Sequence, residues 1–278
     1  IMILLKLETI TLSTALKMTF SNNNPVDVRD AYVFLAEYAA WLLGCGATCI
    51  RITKNVTRIA EAWNLKTEIT IMPGSVHLSV FDNDTKQSFI YLKRKPKTAI
   101  SFYKNTRLSE LSWAISDGKV DFEQARERFN QITSAPYTNK WVVLLLTSIA
   151  NMSFCRLFGG DPMAMLIVFI ATLAGFRLKQ MMLEDGFDDR LVFLTCSFFS
   201  SVIGAAGYVF HIGTTPELAV GTSVLYLVPG IPYINSLSDM LDGHYLVSFS
   251  RFMGAAMLTF CLSCGLAGGM LLMNLKIF

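Results

Sequence analysis

The sequence predicts a multi-pass α-helical membrane protein with about five spans and an N-terminal cytoplasmic α+β domain. The first observation is an uneven distribution of charge, because 30 of the 45 Lys, Arg, Asp and Glu residues lie within residues 1–137. The second is that residues 138–278 consist of long apolar runs, and about 20 apolar residues suffice to cross the hydrocarbon core of a bilayer. The third is a bias of basic residues toward alternate loops. The expected domains are residues 27–135 and 137–278.

The first domain is expected to begin with helical structure. Apolar residues recur near the 3.6-residue helical period across residues 27–63, which predicts one long helix. Asp27, which follows Pro25, is expected near its N-cap. Gly44 and Gly46 are its weak point, where a kink or a close backbone approach is expected.

A change to a two-residue period marks the next part of this domain. Between residues 66 and 92, apolar or β-branched residues alternate with polar ones, and Pro73-Gly74 and residues 82–84 supply turns. This pattern predicts a three-stranded antiparallel meander. Two short helices are expected to follow it, at residues 107–116 and 121–132, the second capped by Asp121.

Five apolar segments follow in the second domain. Two of them, residues 191–212 and 252–273, hold 22 residues without a charge and have the length of a span by themselves. Residues 218–234 are apolar but are interrupted by Pro229-Gly230 and Pro232. The remaining two predicted spans, which need flanking residues to cover the full thickness, are residues 141–158 and 162–183.

The basic residues give an orientation. With the first domain inside the cell, five basic residues flank the inner ends of the spans and two flank the outer ends. Basic residues are enriched in cytoplasmic loops, so this count favours a cytoplasmic N-terminal domain. The inner residues are Lys140, Arg177, Lys179, Arg190 and Arg251, and the outer ones are Arg156 and Lys276.

Small residues recur at the spacing that lets membrane helices approach closely. Ser200 and Gly204 form one such pair, and Gly265 and Gly269 form a GxxxG motif. Without large side chains between them, two backbones can pack against each other in lipid. The motif predicts helix packing but identifies no partner helix.

Composition argues against several classes of function. The net charge of +3 is too small for a nucleic-acid-binding surface, and the basic run at residues 93–97 is short. Cys261 and Cys264 lie inside an apolar run and are expected to pack as small hydrophobic residues. The three histidines lie far apart, and no ATP-binding or hydrolase motif occurs. The sequence therefore predicts no metal, no cofactor and no catalytic residue.

Residues 1–17 are expected to lie outside both domains. The stretch is apolar but carries Lys6 and Glu8, so it is too short and too charged to span a membrane. No cleavage site of a signal peptide is evident in it. Met18 is a candidate start residue.

The turn between the first two spans is one candidate functional site. Arg156 lies near the end of one span, and Asp161 begins the next after Gly159-Gly160. One interpretation is a snorkelling arginine and an N-capping aspartate at a hairpin. The other is a charged gate, in which Arg156 attracts an anionic substrate. Both interpretations stay open at this point.

The interrupted fourth span is the most informative candidate site. Pro229, Gly230 and Pro232 must break the helix, and backbone groups freed inside a membrane have to be buried in protein or line a cavity. Broken helices of this kind hold substrate in many secondary transporters. Three polar residues follow within helical reach and are candidates for substrate or proton binding, namely Asn235, Asp239 and Asp242. The alternative is a proline kink followed by a polar loop.

Gln180 and Arg177, at the inner end of the second span, form a third candidate site. They are candidates for contact with a substrate, but the interpretation that their position favours is an interfacial anchor.

Specific motifs in both halves resemble the threonine/serine exporter family, and within it the larger subunits of bacterial two-component succinate exporters. The resemblance runs from about residue 30 to the end of the chain. In the first domain it rests on Leu43-Gly44-Cys45-Gly46-Ala47, Arg51 and Arg58-Ile59-Ala60. In the second it rests on Phe154-Cys155-Arg156-Leu157, Gly159-Gly160-Asp161, Arg177, Gln180, Val228-Pro229-Gly230, Pro232, Ile234-Asn235, Ser238-Asp239-Met240 and Gly243.

The resemblance implies export of a small organic acid or amino acid across the bacterial inner membrane, with the N-terminal domain in the cytoplasm. It also implies a separate small membrane subunit that completes the transporter, and a homo-oligomer is possible. The substrate stays open, because the family handles both dicarboxylates and hydroxy amino acids. One residue departs from the family pattern, since Thr48 stands where family members often carry an acid.

Two other functions are alternatives to a secondary exporter subunit. In the first, the cytoplasmic domain is an enzyme that the helices only anchor, with Arg51, Arg58, His77 and Asp82 as its candidate residues. Their spacing fits no catalytic pattern. In the second, the domain is a ligand sensor that signals through the helices. Loss of efflux on Asp239→Asn would favour the exporter, and turnover by the isolated domain would favour the enzyme.

Overall fold

The computed structural model describes residues 28–82 and 88–275. These residues form two compact units: the first extends through Ala135 and includes Leu237–Ser248, and the second comprises Pro136–Ser236 and the residues from Phe249 onward. The fold is mostly helical with one small sheet. The expected N-cap at Asp27, the second turn of the meander and residues 1–17 lie outside the described residues. A division into a cytoplasmic and a membrane domain stays a prediction.

In its described residues, the first unit packs four complete helices and a three-stranded sheet around one apolar core. Its largest fully buried side chain is Tyr38, whose hydroxyl donates to the carbonyl of Leu108 at 2.7 Å. Burial raises the pKa of this phenol, so it stays a neutral donor. The elements are α1 (Val28–Gly44), α2 (Cys49–Ala62), β1 (Leu65–Met72), β2 (Ser75–Asp82), β3 (Ser88–Arg94), α3 (Phe102–Ser116) and α4 (Phe122–Ser134).

The prediction of one helix over residues 27–63 is wrong, because the chain breaks between α1 and α2. Gly46 has φ +85, and the amides of Gly46 and Ala47 donate to the carbonyls of Leu43 and Leu42. This is the hydrogen-bond pattern of a Schellman motif, in which a left-handed residue ends a helix and glycine adopts that conformation most easily. Thr48 has an extended backbone and is the N-cap residue of α2. The weak point at Gly46 is therefore a complete helix end.

The predicted antiparallel meander is confirmed, with strand order β1-β2-β3. Ile71 pairs with Val76 across the first turn, and Leu78 pairs with both Ile69 and Tyr91. Alternate residues of β2 point into the core, which is the arrangement that the two-residue period requires. Helix α1 packs on this face of the sheet, where Tyr32 stacks on the ring of Phe89, with 5.2 Å between the ring centroids.

The two short helices after the sheet are confirmed, with longer bounds than the sequence indicated. The hydroxyl of Ser101 accepts a hydrogen bond from the amide of Lys104 at 3.3 Å and caps α3. Asp121 caps α4 in a capping box with Gln124, whose amide donates to Asp121 Oδ1 at 2.8 Å. Both caps satisfy amides that the first helical turn leaves without partners.

The second unit consists of helices. It contains α5 (Lys140–Leu157), α6 (Pro162–Glu184), α7 (Asp189–Val209), α8 (Pro216–Thr222), a 3-10 helix (Leu225–Leu227), and parts of α9 (Gly230–Leu241) and α10 (Tyr245–Leu272). Among the described residues, four helices are long and apolar enough to cross a membrane: α5, α6, α7 and α10. A fifth span is counted if Pro216–Leu227 and Gly230–Leu241 are taken together, and this pair is bent by 60°. The count of four to five agrees with the predicted fold class.

The small residues of the sequence lie where helices touch. A Cβ atom at Gly265 would overlap Ser197 of α7, and one at Gly269 would overlap Ser201 of the same helix. The GxxxG motif of α10 therefore packs on α7, as such motifs do in lipid. Gly204 of α7 faces Ser223, which follows α8.

Candidate functional site

The interruption that the sequence predicts is present between Leu227 and Gly230, whereas Pro232 lies in the first turn of α9, where proline is tolerated, and does not break the helix. In an unbroken α-helix, amides at 229 and 232 would donate to the carbonyls of residues 225 and 228, and proline has no amide hydrogen. Both carbonyls accept local hydrogen bonds instead. The amide of Val228 donates to Leu225 O at 3.1 Å, and the amide of Gly230 donates to Val228 O at 2.9 Å. Local bonds therefore replace the helical ones at the bend.

Buried polar side chains lie in the second unit next to the segment that precedes this bend. Asn151 of α5 is buried, and its Nδ2 donates to Thr172 Oγ1 of α6 at 2.6 Å and to the carbonyl of Thr222 at 3.0 Å. Thr222 is the last residue of α8. One amide side chain thus connects three helices. A polar group buried in this way is tolerated because it is hydrogen-bonded.

A second polar contact joins α7 to the 3-10 helix. The hydroxyls of Ser200 and Tyr226 lie 2.9 Å apart, and Ser200 Oγ is also 3.4 Å from the carbonyl of Ala171. Gly175 of α6 leaves the space for this pair, because a Cβ atom there would overlap both hydroxyls. We call the side chains that make these two contacts the interior polar cluster: Asn151, Thr172, Ser200, Thr222 and Tyr226.

Arg156 and Asp161 occupy the turn between α5 and α6, but they do not pair with each other. Arg156 is exposed and donates to the carbonyl of Gly160 at 3.2 Å. Asp161 is the N-cap of α6 and accepts from the hydroxyl of Thr215 at 2.8 Å and from the amide of Thr214 at 3.3 Å. The hydrogen bond from Thr215 and those from backbone amides lower the pKa of Asp161. Asp161 therefore joins two loops of the second unit as a capping residue.

Gln180 lies at the end of α6 that faces the start of α5. Its Nε2 donates to the carbonyl of Lys140 at 3.0 Å, and Lys140 pairs with Glu184 at 2.8 Å. The guanidinium of Arg177 lies 4.9 Å from the ring centroid of Trp141. These contacts tie the two helix ends together and are typical of an interfacial anchor.

The three polar residues after the bend lie in different environments. Asn235 is half-buried and belongs to the second unit, whereas Asp242 is exposed and belongs to the first. Asp239, also in the first unit, is fully buried, and its Oδ1 accepts a hydrogen bond from the amide of Cys49 at 2.8 Å. Cys49 is the first residue of α2, whose N-cap Thr48 makes no side-chain capping bond. Asp239 thus supplies the cap that Thr48 does not.

Sequence reasoning missed the interior polar cluster as a site. One signal was available, since Asn151 is the only amide side chain in the predicted span 141–158. The sequence predicts Ser200 as a helix-packing residue, and nothing in it relates Thr172 to Tyr226. Among residues 28–82 and 88–275, no group of three His, Cys, Asp or Glu side chains is placed to hold a metal ion.

Comparisons with known proteins cover most of this chain. A family model described as "Putative threonine/serine exporter" matches residues 33–273. The chain is similar to the "Probable succinate transporter subunit YjjP" of Klebsiella aerogenes, with 23% identity over 86% of this chain and 93% of that protein. It is similar to the protein of the same name from Escherichia coli strain K12, with 24% identity over 85% of this chain and 92% of the relative. No solved structure matches.

Proposed function

Because the chain belongs to the threonine/serine exporter family, we propose that it is one subunit of a secondary exporter that moves small organic acids or amino acids out across the bacterial inner membrane. The names of the relatives make succinate the first substrate to test, and the name of the family makes threonine and serine the next. The role is transport, without covalent chemistry on the substrate.

The observation that carries this proposal is the interior polar cluster next to the bent helix pair. Polar side chains within membrane helices cost free energy, and they frequently mark the path of a substrate or an ion. The cluster combines amide and hydroxyl groups that can both donate and accept hydrogen bonds. A carboxylate needs donors and an ammonium group needs acceptors, so the cluster suits the proposed substrates. We assign to Pro229, Gly230, Pro232 and Asn235 the shaping of the route at the bend.

The charged candidates receive supporting roles. Asp161 holds the turn before α6, and exposed Arg156 is free of a carboxylate partner among the described residues, so it can attract an anion at the mouth of the route. Gln180 anchors α5 to α6. Asp239 and Asp242 stay candidates for a proton-carrying role, which for Asp239 competes with its capping of α2.

Orientation and assembly complete the proposal. The excess of basic residues at one set of span ends supports a cytoplasmic first unit. The relatives are named as subunits, which supports a partner, and we propose a small membrane protein of the same exporter family in that role. A homo-oligomer of this chain is compatible with that assembly.

Efflux from membrane vesicles of the host, which keep any partner subunit, tests the proposal. Vesicles are loaded with radiolabelled succinate or threonine, and release is compared for wild type and Asn151→Leu at equal protein levels. Leucine has a similar volume but cannot donate to Thr172 or Thr222. We expect about thirtyfold slower efflux, the factor that corresponds to the loss of both hydrogen bonds at about 1 kcal/mol each.

Ser148→Ala is the matched control. Ser148 is buried one turn earlier in α5, and its hydroxyl donates to the carbonyl of Leu144 in the same helix at 2.9 Å. It should transport within about twofold of wild type, because a bond within one helix contributes little to a substrate path. Equal efflux by Asn151→Leu and wild type would contradict the proposed route, and so would equal losses in both variants.

A further inference from the structure

An open groove with an excess of positive charge lies in the first unit, outside the proposed transport route. It has a volume of about 530 Å³ and runs between α2 and α3. Pockets for small organic molecules typically fall in this range of volume. We call it the basic groove and define it by Arg51, Lys54, Asn55 and Arg58 of α2 with Ser109 and Trp113 of α3.

The three cations share one face of α2 because of their spacing. Arg51, Lys54 and Arg58 follow one another at intervals of three and four residues, which places them in a row along the helix. The α-carbons of Arg51 and Arg58 are separated by about 10 Å, since each residue rises about 1.5 Å. The row is therefore long enough to contact both ends of a small molecule.

Arg58 is held in place before any ligand binds. Its guanidinium lies 3.7 Å from the ring centroid of Trp113, and its Nη1 donates to Asn55 Oδ1 at 2.8 Å and to Ser112 Oγ at 2.7 Å. Asn55 is buried and in turn donates to Ser109 Oγ at 3.0 Å. Because these contacts fix the guanidinium, a ligand pays little entropy to order it.

The positive charge of the groove is not neutralised by the protein. No acidic residue lines it, and within the described part of the chain none of the three cations forms an ion pair. Arg51 donates only to a neutral acceptor, Asn105 Oδ1 at 3.4 Å. Glu110, which follows Ser109 in α3 but does not line the groove, is paired with Arg107 at 2.9 Å. Three unbalanced cations around a concave surface attract anions.

We propose that the basic groove binds a small organic anion that carries two negatively charged groups, one toward Arg58 and one toward Arg51 and Lys54. A single compact anion would engage one end of the row and leave the other unused. A dicarboxylate meets this requirement, and so does a carboxylate that also bears a phosphate ester, because arginine recognises both groups through paired hydrogen bonds. The site belongs to the first unit and does not depend on the proposed route in the second.

Calorimetric titration of the purified full-length protein in detergent tests the proposal. The probes are succinate, phosphoglycolate, which joins a carboxylate to a phosphate ester, and succinamide, the uncharged analogue of succinate. We expect at least one of the two anions to bind, with an affinity that falls as salt is raised, and succinamide not to bind. Arg51→Gln and Lys54→Gln should each weaken binding about tenfold, because each removes a charge-assisted contact. Both side chains are exposed, so these variants should fold.

Two controls make the result specific. Lys66→Gln removes the same charge from an exposed residue of β1 outside the groove and should leave the affinity unchanged. Asn151→Leu changes only the interior polar cluster, so the anion binding that Arg51→Gln and Lys54→Gln weaken should persist in this variant. Binding lost in Asn151→Leu but kept in Arg51→Gln and Lys54→Gln would overturn the proposal, and so would absence of binding by both anions. If efflux fails but the anions still bind, the proposed transport function is contradicted and the proposal for the basic groove stands.

Discussion

The cap that Asp239 provides to α2 leads to a test of what this buried carboxylate does. Its Oδ1 accepts from the amide of Cys49 at 2.8 Å, although 190 residues separate the two in the chain. The first amides of a helix have no partner within the helix, and the helix dipole favours a negative charge at that end. We therefore expect Asp239 to stabilise the start of α2, and replacement of Asp239 to loosen it.

The expected loss differs between two replacements. Asp239→Leu removes a hydrogen bond to a charged acceptor and leaves the amide of Cys49 buried without that partner, which costs about 2–3 kcal/mol. Asp239→Asn keeps an acceptor oxygen and loses only the contribution of the charge, about 1 kcal/mol. Converted to equilibrium constants, these are factors of roughly 30 to 150 and roughly 5.

Amide hydrogen exchange, followed by mass spectrometry on peptides that cover residues 45–55, measures this loss directly. Exchange of a helix amide reports the free energy of the local opening that exposes it. Protection at the start of α2 should fall by the factors given above, in the order wild type, Asp239→Asn, Asp239→Leu. Asp242→Asn is the matched control, because it removes the same charge from an exposed residue three positions later. Its exchange should match wild type.

Efflux by the same variants separates capping from proton transfer. If capping is the role of Asp239, Asp239→Asn keeps most of its transport activity, since the oxygen that caps α2 is retained. Unchanged protection in Asp239→Leu would refute the capping role. Normal protection in Asp239→Asn together with complete loss of efflux would show that transport uses the charge itself, as the sequence led us to expect.

Three further predictions concern turns and helix contacts. The pKa of Asp161 is lowered in the folded state, so the ionised carboxylate stabilises the fold. This effect is complete above about pH 4, the pKa of the residue in the unfolded chain, and declines as the pH falls further. Asp161→Ala, which also loses the bond from Thr215, should unfold at a lower temperature than wild type at neutral pH, and the difference should be smaller in acid. Gly269→Ala should lower the stability of the protein in detergent by about 1–3 kcal/mol, because its Cβ overlaps α7, whereas Gly254→Ala on the same helix meets open space and should not. Gly46→Ala should cost about 1–2 kcal/mol in thermal unfolding, since it places a Cβ on a left-handed residue.

Local patterns predicted most of the first unit. The meander and the capping box at Asp121 depend on residues close in sequence, so alternation and turn residues suffice to identify them. The prediction of one long helix over residues 27–63 is wrong for a local reason as well. The apolar period continues across the break, and only the left-handed conformation of Gly46 shows that a helix ends there. Apolar period alone does not distinguish one helix from two that share a buried face.

The candidate site was less predictable, because its contacts join distant parts of the chain. The bend at Pro229 and Gly230 could be predicted from the sequence, because proline cannot donate the helical hydrogen bond. The bond between Asn151 and Thr172 and the bond between Asp239 and Cys49 are not, because each depends on which helices meet. The sequence predicts functional roles for Asp239 and Asp242 near the bend, yet Asp239, which is the more buried of the two, caps α2.

The interior polar cluster lies at the end of the helix that precedes the bend. Helix α8 ends at Thr222, and the last carbonyls of a helix have no partner within it. Asn151 donates to the carbonyl of Thr222, so a polar residue in an apolar span satisfies a group that the end of α8 leaves without a helical partner. All five side chains of the cluster are neutral, and neutral side chains alone do not balance the charge of a dianion in a low-dielectric interior. On the proposed route, a dicarboxylate therefore passes the cluster only when protons or cations balance its charge, whereas a zwitterionic amino acid can pass with the hydrogen bonds that the cluster already offers.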